Sequence, residues 1–480
     1  MNIGLLAVEL SVCAWIIVML AADLSGRKTS LWLLAFAGVL LATGILNWQR
    51  PETTIAAAQG MFLADRFAAY FKGLFLLTAA VVVLMTRTFP GPAVTEAGAS
   101  RRRLAPHLGA FYMLLFTALL GTLVLASIND LLMLFLGIEL LTFSLYIMAA
   151  YLKTDARSVE AGMKYLILGS VSSGFLVYGI ALLYGFAGST HFPALRTALQ
   201  QEPIPLSAQA GLLLILAGLG FKMAAVPFHL WVPDVYEGAP TPVVAMLSVG
   251  SKMAGVVAIL RVLYGVFPAL AGLWSELLAA LSAATMLYGN LAAIPQTNFK
   301  RLLGYSSIGH AGYLLMGLST GSIVGAAAVA YYLLAYAFST LTVFLVIAVA
   351  SEAVGGDALD EYKGLSKRSG FLAAAMFLGL LSLAGVPPLA GFIGKLLVLL
   401  RTVESGRLWL AAIGAVNVAI SLYYYLMVVK RMYFDPPRTT AAIAVPPLTK
   451  MVLVLLVLGI LAAGIVQAPF LQLISSAIQF

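Results

Sequence analysis

Long, continuous runs of apolar residues follow one another along most of the 480-residue chain, with short polar segments between them. Each run is about 20 residues long, the length that an α-helix needs to cross the ~30 Å hydrocarbon core of a bilayer. The runs do not alternate with period two, so the pattern of an outer-membrane β-barrel is absent. The pattern predicts fourteen transmembrane spans, at about residues 3–22, 31–48, 67–86, 108–126, 130–152, 163–186, 210–231, 241–266, 273–294, 302–319, 324–350, 371–401, 408–433 and 450–468.

Composition supports the same fold class. The chain is 62% hydrophobic and 10% charged, whereas a soluble domain carries about 25% charged residues. We therefore predict an all-α polytopic membrane protein in contact with the lipid bilayer. The net charge of +9 is interpreted as basic loops held at the cytoplasmic face rather than as a nucleic-acid surface. The single cysteine, Cys13, excludes disulfide frameworks, zinc ribbons and thiolate-held iron–sulfur clusters.

Basic residues are distributed unequally between the two sets of loops. Loops after even-numbered spans hold five, whereas loops after odd-numbered spans hold seventeen. Because cytoplasmic loops are enriched in Lys and Arg, the odd loops are predicted to be cytoplasmic and both termini external, in a cell membrane. The two sets are Arg50, Arg66, Arg196, Arg401 and Arg407 in the even loops, and Arg27, Lys28, Arg87, Arg101, Arg102, Arg103, Lys153, Arg157, Lys300, Arg301, Lys363, Lys367, Arg368, Lys430, Arg431, Arg438 and Lys450 in the odd loops.

Two spans contain proline in their interior. The seventh reads GFKMAAVPFHLW and the twelfth reads SLAGVPPLAGFIGKL. Proline removes an amide donor and interrupts a helix. Each broken span is the fourth in a block of five, and two consecutive blocks of five spans have opposite topology, as in transporters built from inverted repeats. We predict four units: an N-terminal three-helix segment (1–107), two inverted five-helix repeats (108–266 and 267–433) and a C-terminal helix (434–480).

Six basic residues fall inside predicted spans, where a charge costs ~2.5–3.5 kcal/mol on insertion scales. Lys72 and Arg261 are interpreted as side chains that extend to the headgroup region, and Lys164 is ambiguous. Lys222 and Lys252 lie roughly 16–18 Å into their spans, and Glu139 roughly 14 Å, so all three are predicted near the middle of the bilayer. The sixth basic residue is Lys395, in the broken twelfth span.

A buried glutamate–lysine pair suits proton transfer. At 4 Å the two charges interact by ~4 kcal/mol at an effective dielectric of 20, so a small movement of one group changes the proton affinity of the other. His229 and His310 add side chains that titrate near neutral pH. His310 lies about 12 Å into its span, where it could link the two repeats. The alternative for Glu139 is a static ion pair that holds helices together.

Several stretches resemble the antiporter-like membrane subunits of respiratory complex I. The most specific is GFKMAAVPFHLWVPDVYEGAPTPVVAMLSVGSKMAG (220–255), supported by LGIELLTFSLYIMAAY, EAGMKYLILGSVSSG, NFKRLLGYSSIGHAGY and PPLAGFIGKL. Together they cover most of the chain. Within the family, PDVYEGAP and SVGSK are more similar to subunit N than to subunits M or L, and Lys395 agrees because subunit M typically has glutamate there.

The resemblance implies a proton-pumping subunit of NADH:quinone oxidoreductase, which is a translocase. By family position, Glu139, Lys222, Lys252, His310 and Lys395 would form the proton relay; Lys164 matches a lysine found in some members, and His229 is a weaker candidate. NADH, FMN, iron–sulfur clusters and quinone would bind to partner subunits. No cofactor, metal or nucleic acid is expected on this chain, and its partners would be other membrane subunits of the complex.

Three other functions remain compatible with the residues. A subunit of a multi-subunit cation/proton antiporter or of a membrane-bound hydrogenase would share the fold and the lysines. A free-standing solute transporter would need a pocket of varied polar groups, whereas this chain offers mainly Lys, Glu and His. In a purely structural membrane subunit, the buried charges would serve as ion pairs for assembly.

Overall fold

A computed structural model describes residues 3–25, 31–49, 54–88, 108–201, 203–439 and 441–478. The described chain is almost entirely helical, which confirms the predicted all-α class. Basic loop residues Arg27, Lys28, Arg50 and 101–103 lie outside the described residues. The longer helices are α1 (Ala7–Leu24), α2 (Leu31–Gln49), α3 (Arg66–Thr88), α4 (Leu108–Ala126), α5 (Leu131–Ala149), α6 (Ala156–Ala187), α8 (Leu206–Met223), α11 (Lys252–Gly265), α12 (Ala271–Ala293), α13 (Phe299–Ser319), α14 (Ile323–Val354), α16 (Gly370–Ala384), α17 (Ala390–Glu404), α18 (Leu408–Tyr433) and α19 (Pro447–Ile465).

The described chain also contains four 3₁₀ helices (Ile3–Leu6, Ala58–Gly60, Pro268–Leu270 and Leu359–Tyr362). Its five shorter α-helices are α7 (Phe192–Ala198), α9 (Val232–Gly238), α10 (Thr241–Ala245), α15 (Leu365–Arg368) and α20 (Gln467–Ala477). One π-helical segment, Met246–Ser251, joins α10 to α11, so that these three pieces form a single membrane-length rod. A hairpin of β1 (Ile55–Ala57) and β2 (Phe62–Ala64) lies between α2 and α3. The sequence pattern did not predict these two strands because three-residue strands are too short to show an alternating pattern.

Twelve helices in the described residues are long and apolar enough to cross a membrane. Two of the fourteen predicted spans are therefore not of this kind. The tenth corresponds to α13, a 21-residue helix that carries Lys300, Arg301 and His310 among its apolar residues. The twelfth is divided into α16 and α17, each 15 residues long. Both lie where the hydrophobic pattern predicted a span. The tenth differs from an ordinary lipid-facing helix because it is polar, and the twelfth because it is interrupted.

The two proline-containing spans are interrupted with the same backbone geometry. α8 ends at Met223 and is followed by Ala224 with φ = 64°; α16 ends at Ala384 and is followed by Gly385 with φ = 87°. In each case the next amide donates to a carbonyl five residues earlier, from Ala225 to Gly220 at 2.9 Å and from Val386 to Leu381 at 3.0 Å. This is the hydrogen-bond pattern of a left-handed helix cap, so a helix end lies within each predicted span.

The helix rod at 241–265 lies in the centre of the molecule and is buried along its whole length, and α14 is almost as deeply buried. In contrast, α1, α6 and α19 expose many apolar side chains, among them Ile17, Tyr178 and Leu455. An apolar outer surface is expected for a protein whose solvent is lipid. Most of the charged residues predicted inside the bilayer are buried in the protein interior: they are Lys72, Lys222, Lys252, Arg261 and Lys395.

Candidate proton-transfer site

Lys222 is the penultimate residue of α8, so its charge lies at the carboxyl end of an interrupted helix. That end carries a partial negative charge, which stabilises a cation. The side chain is 3% exposed, and its Nζ donates to Thr142 Oγ1 on α5. It also lies 5.8 Å from the centre of the Tyr146 ring. A hydroxyl and an aromatic face thus surround the ammonium.

Glu139 lies on α5, one turn before Thr142, and is only partly buried. Its Oε1 accepts a hydrogen bond from Ser173 on α6 at 2.5 Å. Among the described residues, Glu139 and Lys222 do not form an ion pair within 4 Å; their side chains bind Ser173 and Thr142, respectively. The hypothesis of a static Glu139–Lys222 pair therefore finds no direct contact to support it.

Lys252 is the first residue of α11 and is 2% exposed. Its Nζ donates to both the hydroxyl and the carbonyl oxygen of Ser307 on α13. Ser307 is in turn linked to two tyrosines: its Oγ lies 3.0 Å from Tyr236 Oη and 3.2 Å from Tyr336 Oη. Three helices, α9, α13 and α14, therefore place hydroxyl groups around this lysine.

His310 follows Ser307 on α13 by one turn and is buried. Its Nδ1 lies 2.5 Å from Tyr332 Oη, and its Nε2 lies 3.1 Å from Tyr425 Oη. The ring of Tyr336 lies between the two basic groups, 5.0 Å from the imidazole centre and 5.4 Å from Lys252 Nζ. Both imidazole nitrogens thus have partners that can donate or accept a proton.

Lys395 lies on α17 and is 2% exposed. Its Nζ donates to the carbonyl oxygen of Ala384 at 3.0 Å and to Ser421 Oγ at 3.4 Å. Ala384 is the last residue of α16, where carbonyl groups have no partner within the helix. Both buried lysines at the breaks, Lys222 and Lys395, are therefore held at the carboxyl end of the first half-helix.

These groups form a polar line through the protein interior. Gly255 lies on α11, one turn beyond Lys252. A Cβ at this glycine would lie 3.1 Å from Lys222 Cβ, so the absence of a side chain lets α8 and α11 approach closely. Lys252 reaches His310 through Ser307 and Tyr336. His310 reaches Lys395 through Tyr332 and Tyr313, whose rings lie 6.1 Å apart, with Lys395 Nζ 5.0 Å from the Tyr313 ring. We refer to Lys222, Lys252, His310, Lys395 and their hydroxyl partners as the polar line.

Two less certain candidates lie outside the polar line. Lys164 is half-exposed and forms ion pairs with Glu160 at 2.7 Å and with Asp234 at 2.6 Å, so it is a surface group. His229 is buried in the segment after the first break, with its ring 4.3 Å from that of Tyr288. Neither ring nitrogen makes a hydrogen bond of normal geometry, although the Pro227 carbonyl lies nearby.

The interpretation of Lys72 and Arg261 as side chains reaching the headgroups is wrong. Lys72 is 4% exposed, and its Nζ lies 2.6 Å from Glu9 Oε1 on α1. Arg261 is also 4% exposed; it donates two hydrogen bonds of 2.7 Å to Asp65 and further bonds to the Ala126 carbonyl. Both cations are neutralised inside the protein by carboxylates that are distant in sequence. The hydrophobic pattern of one span cannot predict such a partner.

Sequence reasoning also missed most partners of the polar line. Thr142, Ser307, Tyr332 and Tyr425 are ordinary residues of apolar helices when read one helix at a time. Their only shared signal is a hydroxyl group in a predicted span, and many other spans carry one. Among the described residues, no group of three or more His, Cys, Asp or Glu side chains could hold a metal ion.

Comparison with known proteins gives a consistent result. The family model for the membrane domain of NADH:quinone oxidoreductase and Mrp antiporters matches residues 128–421. NADH-quinone oxidoreductase subunit N of Moorella thermoacetica is 39% identical, with 100% of this chain and 99% of the relative covered. NAD(P)H-quinone oxidoreductase subunit 2 of a Synechococcus strain is 41% identical over 100% of this chain and 92% of the relative. A chain of respiratory complex I from Thermus thermophilus has a TM-score of 0.80 and 32% identity, covering 97% of this chain and 98% of that one.

Ionisable groups buried inside a helical membrane protein are typical of proteins that move ions or protons across a bilayer. The family match spans more than half of the chain, and the relatives align over nearly all of it. The chain belongs to the NADH:quinone oxidoreductase/Mrp antiporter family of membrane subunits.

Proposed function

We propose that this chain is the proton-translocating membrane subunit N of an NADH:quinone oxidoreductase, and that the polar line carries the protons. One observation carries the proposal: among the described residues, none of Lys222, Lys252 and Lys395 lies within 4 Å of a carboxylate, and each is bound by hydroxyl or carbonyl oxygens. Such partners accept a hydrogen bond from the ammonium without fixing its charge as a carboxylate would. The proton can then leave.

Glu139 would exchange protons with Lys222 across the gap between them, and Lys395 would be the last group of the line. Glu139 is partly exposed, so its carboxylate lies near the surface formed by α5 and α6. This position supports a role for Glu139 as the first group to pass protons to the polar line. Redox chemistry on NADH, flavin, iron–sulfur clusters and quinone would take place on partner subunits, and other membrane subunits of the complex would flank this one.

Residues 108–266 and 267–433 would be the two inverted repeats, with 1–107 and 434–480 as flanking segments. The matching backbone geometry at the two breaks supports this division.

The bias of basic loop residues supports a cell-membrane orientation with both termini external. Reporter fusions near Lys300 and Lys363 should then report cytoplasm, and fusions near Arg196 and Arg407 should report the outside; a reversed result at any one of them would break the repeat assignment.

Substitution of Lys222 tests proton transfer against a static role. Lys222→Ala should impair quinone reduction and proton pumping together, because a tightly coupled machine stops when one proton step is blocked. Lys222→Arg should also fail, since a guanidinium remains protonated and cannot release its proton. The measurements are NADH:quinone turnover and proton uptake in membrane vesicles, with assembly checked on native gels.

Two outcomes would contradict the proposal. A Lys222→Arg chain with full turnover and full pumping, alongside an alanine chain that fails to assemble, would show that a charge is needed there only to hold helices together. A tagged chain that left the membrane as a stable protein without partners would contradict the assignment to a multi-subunit oxidoreductase.

A further inference from the structure

A fifth buried lysine lies outside the polar line. Lys300, which the loop count placed at the cytoplasmic surface, is in the first turn of α13 and is fully buried. Its Nζ lies 3.1 Å from Asp357 Oδ2, in the segment after α14. The Asp357 side chain is 10% exposed, whereas the Lys300 side chain has no exposure. The carboxylate is therefore the member of the pair that is partly exposed at the protein surface.

Lys300 points along the same face of α13 as the groups of the polar line. Ser307 follows it by seven residues, which is nearly two turns and about 10 Å along the helix, and His310 follows by a further turn. Lys300, Ser307 and His310 thus lie in order from the proposed cytoplasmic end of the helix towards the middle of the protein.

A second connection runs through α9. Lys300 Nζ donates to the carbonyl oxygen of Ala239 at 3.0 Å, directly after α9. Tyr236, on the preceding turn of the same segment, is buried and reaches Ser307 Oγ at 3.0 Å. Gly304 of α13 lies against this tyrosine, since a Cβ there would be 3.3 Å from Tyr236 Cβ. The wall between Lys300 and Lys252 therefore carries the Tyr236 and Ser307 hydroxyls.

We infer that the Asp357–Lys300 pair is the entry point at which protons pass from the aqueous side into the polar line at Lys252. This inference rests on the proposed function and names a site for proton uptake. The order of groups is Asp357, Lys300, Tyr236 with Ser307, and Lys252. Lys300 is a proton carrier in this scheme and not a group that binds a substrate.

The proton balance of the step is simple. A proton from water binds to the Asp357 carboxylate and neutralises it. Loss of the Asp357 charge weakens the stabilisation of the Lys300 ammonium in its desolvated position, which favours transfer of its proton inward through the hydroxyls to a neutral Lys252 amine. The Asp357 carboxylic acid then transfers its proton to the Lys300 amine and returns to the carboxylate. One proton has moved from water to Lys252, and both entry groups are restored.

A purely structural role is the alternative, because the same segment is tied to α13 by backbone hydrogen bonds. Phe299 donates its amide to the Asp357 carbonyl at 2.7 Å, and Leu359 donates to the Thr297 carbonyl at 2.8 Å. These backbone bonds do not depend on the side chains of the pair. The fold around residue 357 should thus survive loss of the carboxylate, which makes a functional test possible.

Weak-acid rescue separates the two roles. Asp357→Ala, studied in the assembled complex in membrane vesicles, should lose roughly tenfold or more of its proton uptake and of its coupled NADH:quinone turnover. Added sodium formate should restore part of the turnover, since a small carboxylic acid can occupy the space left by the side chain and deliver protons to Lys300. Lys300→Arg should keep the pair and the assembly but not the turnover.

The matched control is Lys363→Ala with and without formate. Lys363 forms an exposed ion pair with Asp360 at 3.2 Å in the segment after Asp357, and its hydrogen bond holds the pKa of Asp360 below the ordinary value. Turnover of this variant should be normal, and formate should change it no more than it changes the unmodified complex. Such a comparison removes any general effect of formate on the proton gradient.

Three results would overturn the inference. They are full turnover in Asp357→Ala, full turnover in Lys300→Arg, or loss of turnover in Asp357→Ala that formate does not restore while assembly remains normal. Failure of the inference is distinct from failure of the proposed function. If Lys222→Arg blocks pumping but Asp357→Ala does not, the polar line carries protons that enter elsewhere.

Discussion

Two groups of buried cations in this molecule have partners of different kinds. In the polar line, Lys222, Lys252 and Lys395 are bound by hydroxyl and carbonyl oxygens. Near the amino-terminal helices, Lys72 is bound by the Glu9 carboxylate and Arg261 by the Asp65 carboxylate. All five side chains are almost completely removed from solvent. Burial alone, therefore, does not distinguish a group that moves protons from one that holds helices together.

The identity of the partner decides the difference. A carboxylate within 3 Å stabilises the charged form of a lysine or arginine and opposes release of a proton, whereas a hydroxyl or carbonyl oxygen does so much less. Arg261 also has two hydrogen bonds to one carboxylate, a geometry suited to a fixed contact. We therefore expect the amino-terminal pairs to tolerate exchange of one cation for another, and the polar line to tolerate none.

The largest expected effect is on stability, at Asp65. Asp65→Leu leaves Arg261 buried without its counter-charge, which should cost ~3–5 kcal/mol and remove most of the chain from the assembled complex. The double variant Asp65→Leu/Arg261→Met should recover much of the loss, because neither charge then remains. The amount of assembled chain on native gels measures both. Asp65 also accepts a hydrogen bond from the Ala68 amide at 2.7 Å, so recovery that fails in the double variant would mean that this cap of α3, or the arginine, has a role beyond the ion pair.

Arginine substitutions sharpen the comparison directly. Lys395→Arg should reduce proton pumping about tenfold or more with normal assembly, because the guanidinium stays protonated. Lys72→Arg should retain most of the pumping, since the pair with Glu9 needs only a cation. Vesicle proton uptake, normalised to assembled chain, is the measurement. Equal losses in the two variants would remove the distinction between the regions.

A smaller effect is expected at the hydroxyl partners of the line. Tyr332→Phe keeps the ring but removes the hydroxyl that lies 2.5 Å from His310 Nδ1. One hydrogen bond contributes ~0.5–1.5 kcal/mol, so pumping should fall about two- to tenfold. Tyr288→Phe is the matched control, since that ring contacts His229 and not His310. Pumping that is unchanged in Tyr332→Phe would exclude this hydroxyl from the line.

The smallest effect is expected at His229. His229→Leu replaces a buried imidazole whose nitrogens make no hydrogen bond of normal geometry. The amount of assembled chain and the rate of proton pumping should therefore each change by less than about twofold. Turnover and assembly are measured as for the other variants. A loss comparable to that of Lys395→Arg would return His229 to the proton path, where the pattern of the seventh span first suggested it.

Much of this protein could be predicted from its hydrophobic pattern. The pattern defines the helical class, places helices such as 108–126 at their observed bounds, and indicates the two breaks, because apolar runs and prolines act locally. The depth of Lys222 and Lys252 within those runs also indicates that both are buried, because a charge at mid-span is costly unless the protein encloses it.

Only the tertiary structure decided which buried charge has which partner. Glu9 and Lys72 are 63 residues apart, and Asp65 and Arg261 are 196 residues apart, so neither pair is visible within one span. Lys300 was predicted to lie in a loop, but it is fully buried and pairs with Asp357, 57 residues further along the chain. Pairing depends on the packing of several helices: packing brings hydroxyl and carbonyl oxygens to Lys222 and Lys395, and a carboxylate to Lys72.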